Sequence, residues 1–237
     1  MGIAVVQSVI AAGSSVSSIT TPGISTTSGN LIIVDLSYIG TFLSQSDSPM
    51  NSYSNAIAEA GGATLCRENY SNGITGNASH TFTLELTASG FPTIVAVEVS
   101  GQSASSVLDQ TAVGSDATGD THTTANTSAT SQANELLHGY GIGTVVVGTT
   151  FSVSAPWTQD KENDLATSSG IISASKNVTS IGTYNFTFRT NIGSLRATQS
   201  GISTWKEATG GGGATLSQLI VDPNILGVGI VDGGIVL

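Results

Sequence analysis

Charge is what this chain lacks most. Only 9% of its residues are Asp, Glu, Lys or Arg, against roughly 25% in an ordinary soluble domain, and Ser, Thr, Gly and Asn stand in their place. So few acids and bases leave little with which to run a reaction, and the expectation is a protein that binds or builds rather than an enzyme. Six basic residues face sixteen acidic ones, for a net charge of −10. Arg67, Lys161, Lys176, Arg189, Arg196 and Lys206 are scattered, so no basic patch exists for phosphate and nucleic acid is excluded as a partner. The single Cys66 cannot form an internal disulfide and reads as a small buried hydrophobe.

Long apolar runs are missing too. The most hydrophobic stretch, Leu216 to Leu237, is cut by Asp222, Pro223, Asp232 and glycines, so no membrane span is expected. Met1 to Ala12 is apolar but lacks the Lys or Arg of a signal peptide, and it reads as a strand.

What is present is β-structure. With 39% hydrophobic residues the chain can fill a core, and period-two or continuous β-branched runs recur at Ile3–Ile10, Leu31–Ile39, His80–Thr87, Thr93–Ser100, Ser106–Ala112, Glu135–Ile142, Thr149–Ser154, Gly170–Ser175, Gly182–Thr190, Ala197–Trp205 and Leu216–Val221. Turn chemistry such as Asn72-Gly73 and Asn191-Ile192-Gly193 separates them. Only Tyr53–Ala60 reads as a short helix. The fold class expected is all-β, an antiparallel two-sheet sandwich of jelly-roll or Greek-key type with a C-terminal tail of strands.

An internal echo supports two similar halves. Asn30-Leu31-Ile32-Ile33 matches Asn134-Glu135-Leu136-Leu137, 134 − 30 = 104 positions on, and Thr81 to Leu86 resembles Thr183 to Phe188, with Leu84 set on Phe186 at 186 − 84 = 102. The reading is residues 1–208 as one sandwich built of both halves, 209–213 as a glycine hinge and 214–237 as terminal assembly strands; two separate domains of about a hundred residues are the rival.

The succession Thr27-Ser28-Gly29-Asn30-Leu31-Ile32-Ile33-Val34, Ser46-Asp47-Ser48-Pro49-Met50-Asn51-Ser52-Tyr53, Ile94-Val95-Ala96-Val97-Glu98-Val99-Ser100-Gly101, Val107-Leu108-Asp109-Gln110-Thr111-Ala112 and Thr130-Ser131-Gln132-Ala133-Asn134-Glu135-Leu136-Leu137 resembles β-sandwich modules of tailed-phage virion proteins and some bacterial surface proteins. The resemblance covers residues 25–207. Those modules carry a Gly-Asn-Thr-Tyr type turn where this chain has Met50-Asn51-Ser52-Tyr53. It implies a structural or adhesive role on capsids, tails or cell surfaces.

The tail argues for assembly separately. After Gly210-Gly211-Gly212-Gly213, a flexible hinge, come three short apolar runs whose Leu219, Ile220, Ile225, Leu226, Val228 and Ile230 need a partner surface. So short a meander does not hold itself together in water; it completes its own core, or docks in trans by strand addition or as an oligomer core.

Candidate chemistry is thin. His80, His122 and His138 lie far apart, with no Cys or carboxylate at metal-ligand spacing, and His138 reads as a hydrogen-bonded core or interface residue. Asp109, Asp116 and Asp120 share one Gly/Ser/Thr-rich stretch, but their spacing fits no calcium loop. Asp160-Lys161-Glu162-Asn163-Asp164, the one charge-dense stretch, reads as a surface loop. Trp157, after Pro156, is the candidate sugar contact. No catalytic residue, metal site or cofactor is nominated. The functional expectation is a non-enzymatic virion protein, most plainly a capsid decoration or cement protein. Its partners would be copies of itself and a major capsid or tail protein; the alternatives are a tail or fibre component, or a carbohydrate-binding surface module.

Overall fold

The computed structural model describes residues 2–61, 64–116, 119–144, 149–163, 170–191 and 196–209, which form sixteen strands and no helix. The first eight are β1 (Ala4–Ala12), β2 (Val16–Thr20), β3 (Leu31–Tyr38), β4 (Phe42–Ser48), β5 (Ser54–Gly61), β6 (Leu65–Asn72), β7 (Thr81–Gly90) and β8 (Thr93–Ser100). The second eight are β9 (Leu108–Asp116), β10 (Thr121–Thr123), β11 (Asn134–Thr144), β12 (Phe151–Val153), β13 (Thr158–Asn163), β14 (Gly170–Thr179), β15 (Thr187–Thr190) and β16 (Arg196–Lys206). Two readings of the sequence are corrected here. Tyr53–Ala60 is not a helix but belongs largely to β5, whose pairing with β6 outweighs the local preference of Ala and Glu. The charge-dense stretch is not a loop: Asp160–Asn163 lies in β13, an edge strand, where charge blunts an open edge.

The strands form four antiparallel sheets, two per half. In the first half the five-stranded sheet runs β1-β8-β3-β6-β5 and the three-stranded sheet β2-β7-β4. The second half repeats both orders with every label raised by eight: β9-β16-β11-β14-β13 and β10-β15-β12. The repetition reaches single hydrogen bonds. Phe82 N–H donates to Thr21 Oγ1 and Phe186 N–H to Thr124 Oγ1, at 3.0 and 2.9 Å, and Thr20 meets Thr83 as Thr123 meets Thr187, each pair 2.9 Å apart. These bonds match Phe82 to Phe186, at 186 − 82 = 104, so the pairing of Leu84 with Phe186 read from the sequence was two residues out of register.

The sheets stack in four layers around three cores. Between the sheets of the first half lie Ile32, Val34, Leu36, Phe82 and Leu84, and between those of the second Leu137, Ile172, Phe186, Phe188 and Ile202. The third core joins the halves: Leu31, Ile33, Val95, Val97 and Val99 of one five-stranded sheet meet Leu136, Tyr140, Ile142, Ile171 and Trp205 of the other. The central strands are therefore covered on both faces, which is why β3 reads as a continuous apolar run rather than an alternation, and all eight of its residues are buried. On β11, Gly139 and Gly141 leave the space that the rings of Phe186 and Phe188 fill.

Candidate functional site between the two halves

Three ionisable side chains interrupt the apolar core between the halves. Along β3 the residues facing the second half are Leu31, Ile33 and then Asp35; its ladder neighbour on β6 is Glu68. Opposite, β11 presents Leu136, His138 and Tyr140, and His138 is flanked in its own sheet by Ser175 of β14 and Ser203 of β16. Asp35 Oδ2 lies 2.9 Å from His138 Nε2. One donor atom from each of Asp35, Glu68 and His138 lies within 4.8 Å of the others, and all three residues are fully buried.

The other ring nitrogen is held from the far side. His138 Nδ1 is 3.1 Å from Ser175 Oγ, and that hydroxyl donates to Asp160 Oδ2 at 2.5 Å. Asp160 reaches inward because β13 is irregular between Gln159 and Lys161, which leaves Asp160 out of the ladder. The first half grips the same residue, Ser8 Oγ donating to the Asp160 carbonyl at 2.9 Å.

Burial dominates the electrostatics. It pushes the Glu68 carboxyl up to about 8, against the pull of the His138 charge and of the Ser203 hydroxyl and with the push of Asp35. For His138 burial works the other way, yet the Asp35 carboxylate, with Glu68 and Asp160 behind it, raises the imidazole to about 9. Burial also raises Asp160, with His138 and Ser175 opposing. Burial thus favours the protonated form of Glu68, while the carboxylates around His138 favour its protonated form. Hydrogen bonding inside it is incomplete: Asp35 Oδ1 and both oxygens of Glu68 lack a partner in hydrogen-bond geometry among the described residues.

A cleft of about 460 Å³ opens beside this cluster. Ala4 and Val5 of β1 form one wall, Pro156, Asp160, Ser175 and Lys176 of the second half the other, so it lies on the seam between the halves. Asn177 Nδ2 closes the seam by donating to the Ile3 carbonyl at 2.9 Å. Trp157 stands next to the cleft wall with its ring already engaged. Lys176 Nζ lies 4.6 Å over its centroid and Phe186 packs edge-on at 4.9 Å. Burial lowers the Lys176 ammonium below its ordinary range.

The remaining nominated residues are dispersed. Asp109 is the second residue of β9 and Asp116 its last, with Asp120 beyond, so the strand holds the first two near opposite ends. Asp109 instead binds the Ser131 N–H and Lys206. His80 joins a satisfied network, 2.7 Å from Asp47 and 2.8 Å from Thr26, and His122 stacks on Phe188. Leu219, Ile220, Ile225, Leu226, Val228 and Ile230, with Gly210–Gly213 before them, lie outside the described residues.

Asp35 and Glu68 were not nominated from the sequence. A signal for Asp35 existed: a carboxylate inside the run Leu31-Ile32-Ile33-Val34-Asp35-Leu36 sits in a strand with no solvent face. Glu68 gave none, because the polar stretch Leu65–Asn72 did not read as a strand. Comparison of the chain with family models, with curated proteins and with solved structures finds no match.

Proposed function

We propose that this is a non-enzymatic structural protein of a tailed-phage virion, made in the host cytoplasm and acting as a capsid decoration or cement protein, with residues 1–208 a sandwich of jelly-roll or Greek-key type built from both halves. The observation that carries the reading is where the chain spends its ionisable groups. Asp35, Glu68 and His138 join the halves, Asp47 and His80 pin a turn, and Glu98 accepts hydrogen bonds from Gln7, Thr27 and Asn30 at 2.6 to 2.7 Å to fix the loop before β3. A rigid block whose polar chemistry is turned inward suits mechanical work on a shell, in which copies of the chain and a major capsid protein are the partners and many weak contacts sum. The apolar residues of 214–237 supply the attachment in this reading, adding strands to a neighbour's sheet edge.

Cryo-microscopy of particles carrying the tagged protein tests it: density on the shell at defined symmetry positions is expected, and failure to co-purify with any particle overturns it. Deleting 210–237 should leave a folded chain that no longer attaches; a truncated chain that unfolds, or that attaches normally, removes the tail from the mechanism. Density on the tail or a fibre would move the protein to the alternative virion location. The cell-surface, carbohydrate-binding reading draws on Trp157 beside the cleft, although Lys176 covers one face of that ring. It requires glycan-array binding that Trp157→Ala abolishes.

A further inference from the structure

We propose that Asp35, Glu68 and His138 form a site for a divalent transition cation, zinc being the ion whose preferences fit, and that the bound ion clamps the two halves together. The donor set is two carboxylates and one imidazole, a combination that suits zinc and its neighbours better than calcium, which takes six to eight oxygens. Once Glu68 and His138 have each given up a proton, the two carboxylates match the charge of one divalent cation, so the bound ion takes the place of those protons. The donor atoms lie within 4.8 Å of one another, and tetrahedral bonds of about 2.0–2.1 Å place donors about 3.3 Å apart. Asp35 and His138 already stand at 2.9 Å, so the adjustment falls chiefly on the Glu68 side chain.

Two further observations point to a ligand. Glu68 is 0% exposed, yet neither carboxylate oxygen has a hydrogen-bond partner among the described residues, and Asp35 Oδ1 shares that state. A buried carboxyl in this condition has lost its hydration without gaining a hydrogen bond in return, and coordination to an ion would supply the missing partner. The second observation is the orientation of His138. Because Ser175 donates its proton to Asp160, its oxygen is left to accept from Nδ1–H, which turns Nε2 toward the two carboxylates. A carboxylate that holds the imidazole from its other nitrogen, here Asp160 through Ser175, is a common way of orienting metal-binding histidines. The open cleft on the seam reaches Asp160 and Ser175, which hold His138 from its Nδ1 side.

The test uses the full chain, stripped with a chelator and titrated with zinc chloride by calorimetry. Cobalt(II) serves as a spectroscopic probe and calcium chloride as a comparison. One zinc per chain is expected, with a rise in melting temperature and a tetrahedral cobalt spectrum. Glu68→Gln keeps the side chain's shape and removes its charge, so it should fold and yet lose at least about a hundredfold in zinc affinity; His138→Gln should behave alike. Asp160→Asn, which touches only the Nδ1 side, should lose about ten- to a hundredfold. No zinc or cobalt binding by the stripped chain overturns the proposal. So does binding that survives unchanged in both Glu68→Gln and His138→Gln, or a preference for calcium. A Glu68→Gln chain that is more stable than the parent, with no metal bound by either, would identify the cluster as a proton-sharing network instead.

Discussion

Asp35 Oδ2 and His138 Nε2 meet at 2.9 Å across the boundary between the halves, from the corresponding central strands β3 and β11 and 138 − 35 = 103 positions apart. Apolar faces slide over one another with little penalty, whereas a buried ion pair is satisfied at one register only. The pair stands across the boundary in the position from which polar groups set register in some other buried interfaces.

Removing one partner should be expensive. His138→Leu leaves the carboxyls of Asp35, Glu68 and Asp160 without their cation, and urea unfolding should show a loss of about 3–5 kcal/mol. Replacing Asp35 and His138 together by apolar residues should cost much less than the single change. A single variant as stable as the parent would mean that the pair contributes nothing to the interface.

Met50 takes a left-handed φ of +72° and is 84% exposed, in the turn where Asp47 accepts from Asn51 and Tyr53. Glycine adopts this backbone without strain. Relief of about 1–2 kcal/mol outweighs the extra unfolded-state entropy of glycine, so Met50→Gly should stabilise by about 0.5–1 kcal/mol in thermal unfolding. Met50→Ala should bring no gain.

Gly139 and Gly141 are places where a methyl group would collide with buried rings. A Cβ at Gly139 would enter the ring of Phe186, and one at Gly141 the ring of Phe188. Gly139→Ala and Gly141→Ala should each cost about 1–3 kcal/mol through overpacking. Gly73, with open space at its Cβ position, provides the control: Gly73→Asn, a residue that tolerates its φ of +70°, should be near neutral.

Glu135 predicts a pH dependence. Burial raises its carboxyl to about 7 from an ordinary 4.5, with Asp109 pushing the same way and Thr204 and Lys206 opposing. The folded state therefore holds a proton that the unfolded chain gives up. The stability this protects is intact below about 4.5, is lost as pH climbs from 4.5 to 7, and stays lost above. Glu135→Gln should thus match the parent near pH 4.5 and exceed it by about 2 kcal/mol at pH 8. A difference that is flat across this range would show that Glu135 ionises freely.

Strand identity was legible because it is local. Leu31–Tyr38 and Thr93–Ser100 carry β-branched runs bounded by turn residues, and the echo at a spacing of about a hundred announced two similar halves. Where local preference and pairing disagreed, as in Ser54–Gly61 and Thr158–Asn163, the reading failed, because hydrogen bonding to a neighbouring strand overrides the bias of Ala, Glu and Lys. The candidate site depended on tertiary structure altogether. Glu68 and His138 are 138 − 68 = 70 positions apart, in strands of different sheets, and they meet because one face of β6 and one face of β11 turn toward the same core. Side chains alternate along a strand, so a slip of one residue in either register would send Asp35 or His138 to the opposite face. That register is a property of the packed sheets. The sequence by itself determined that there would be strands in two matching sets; only the packing decided which charges they would enclose.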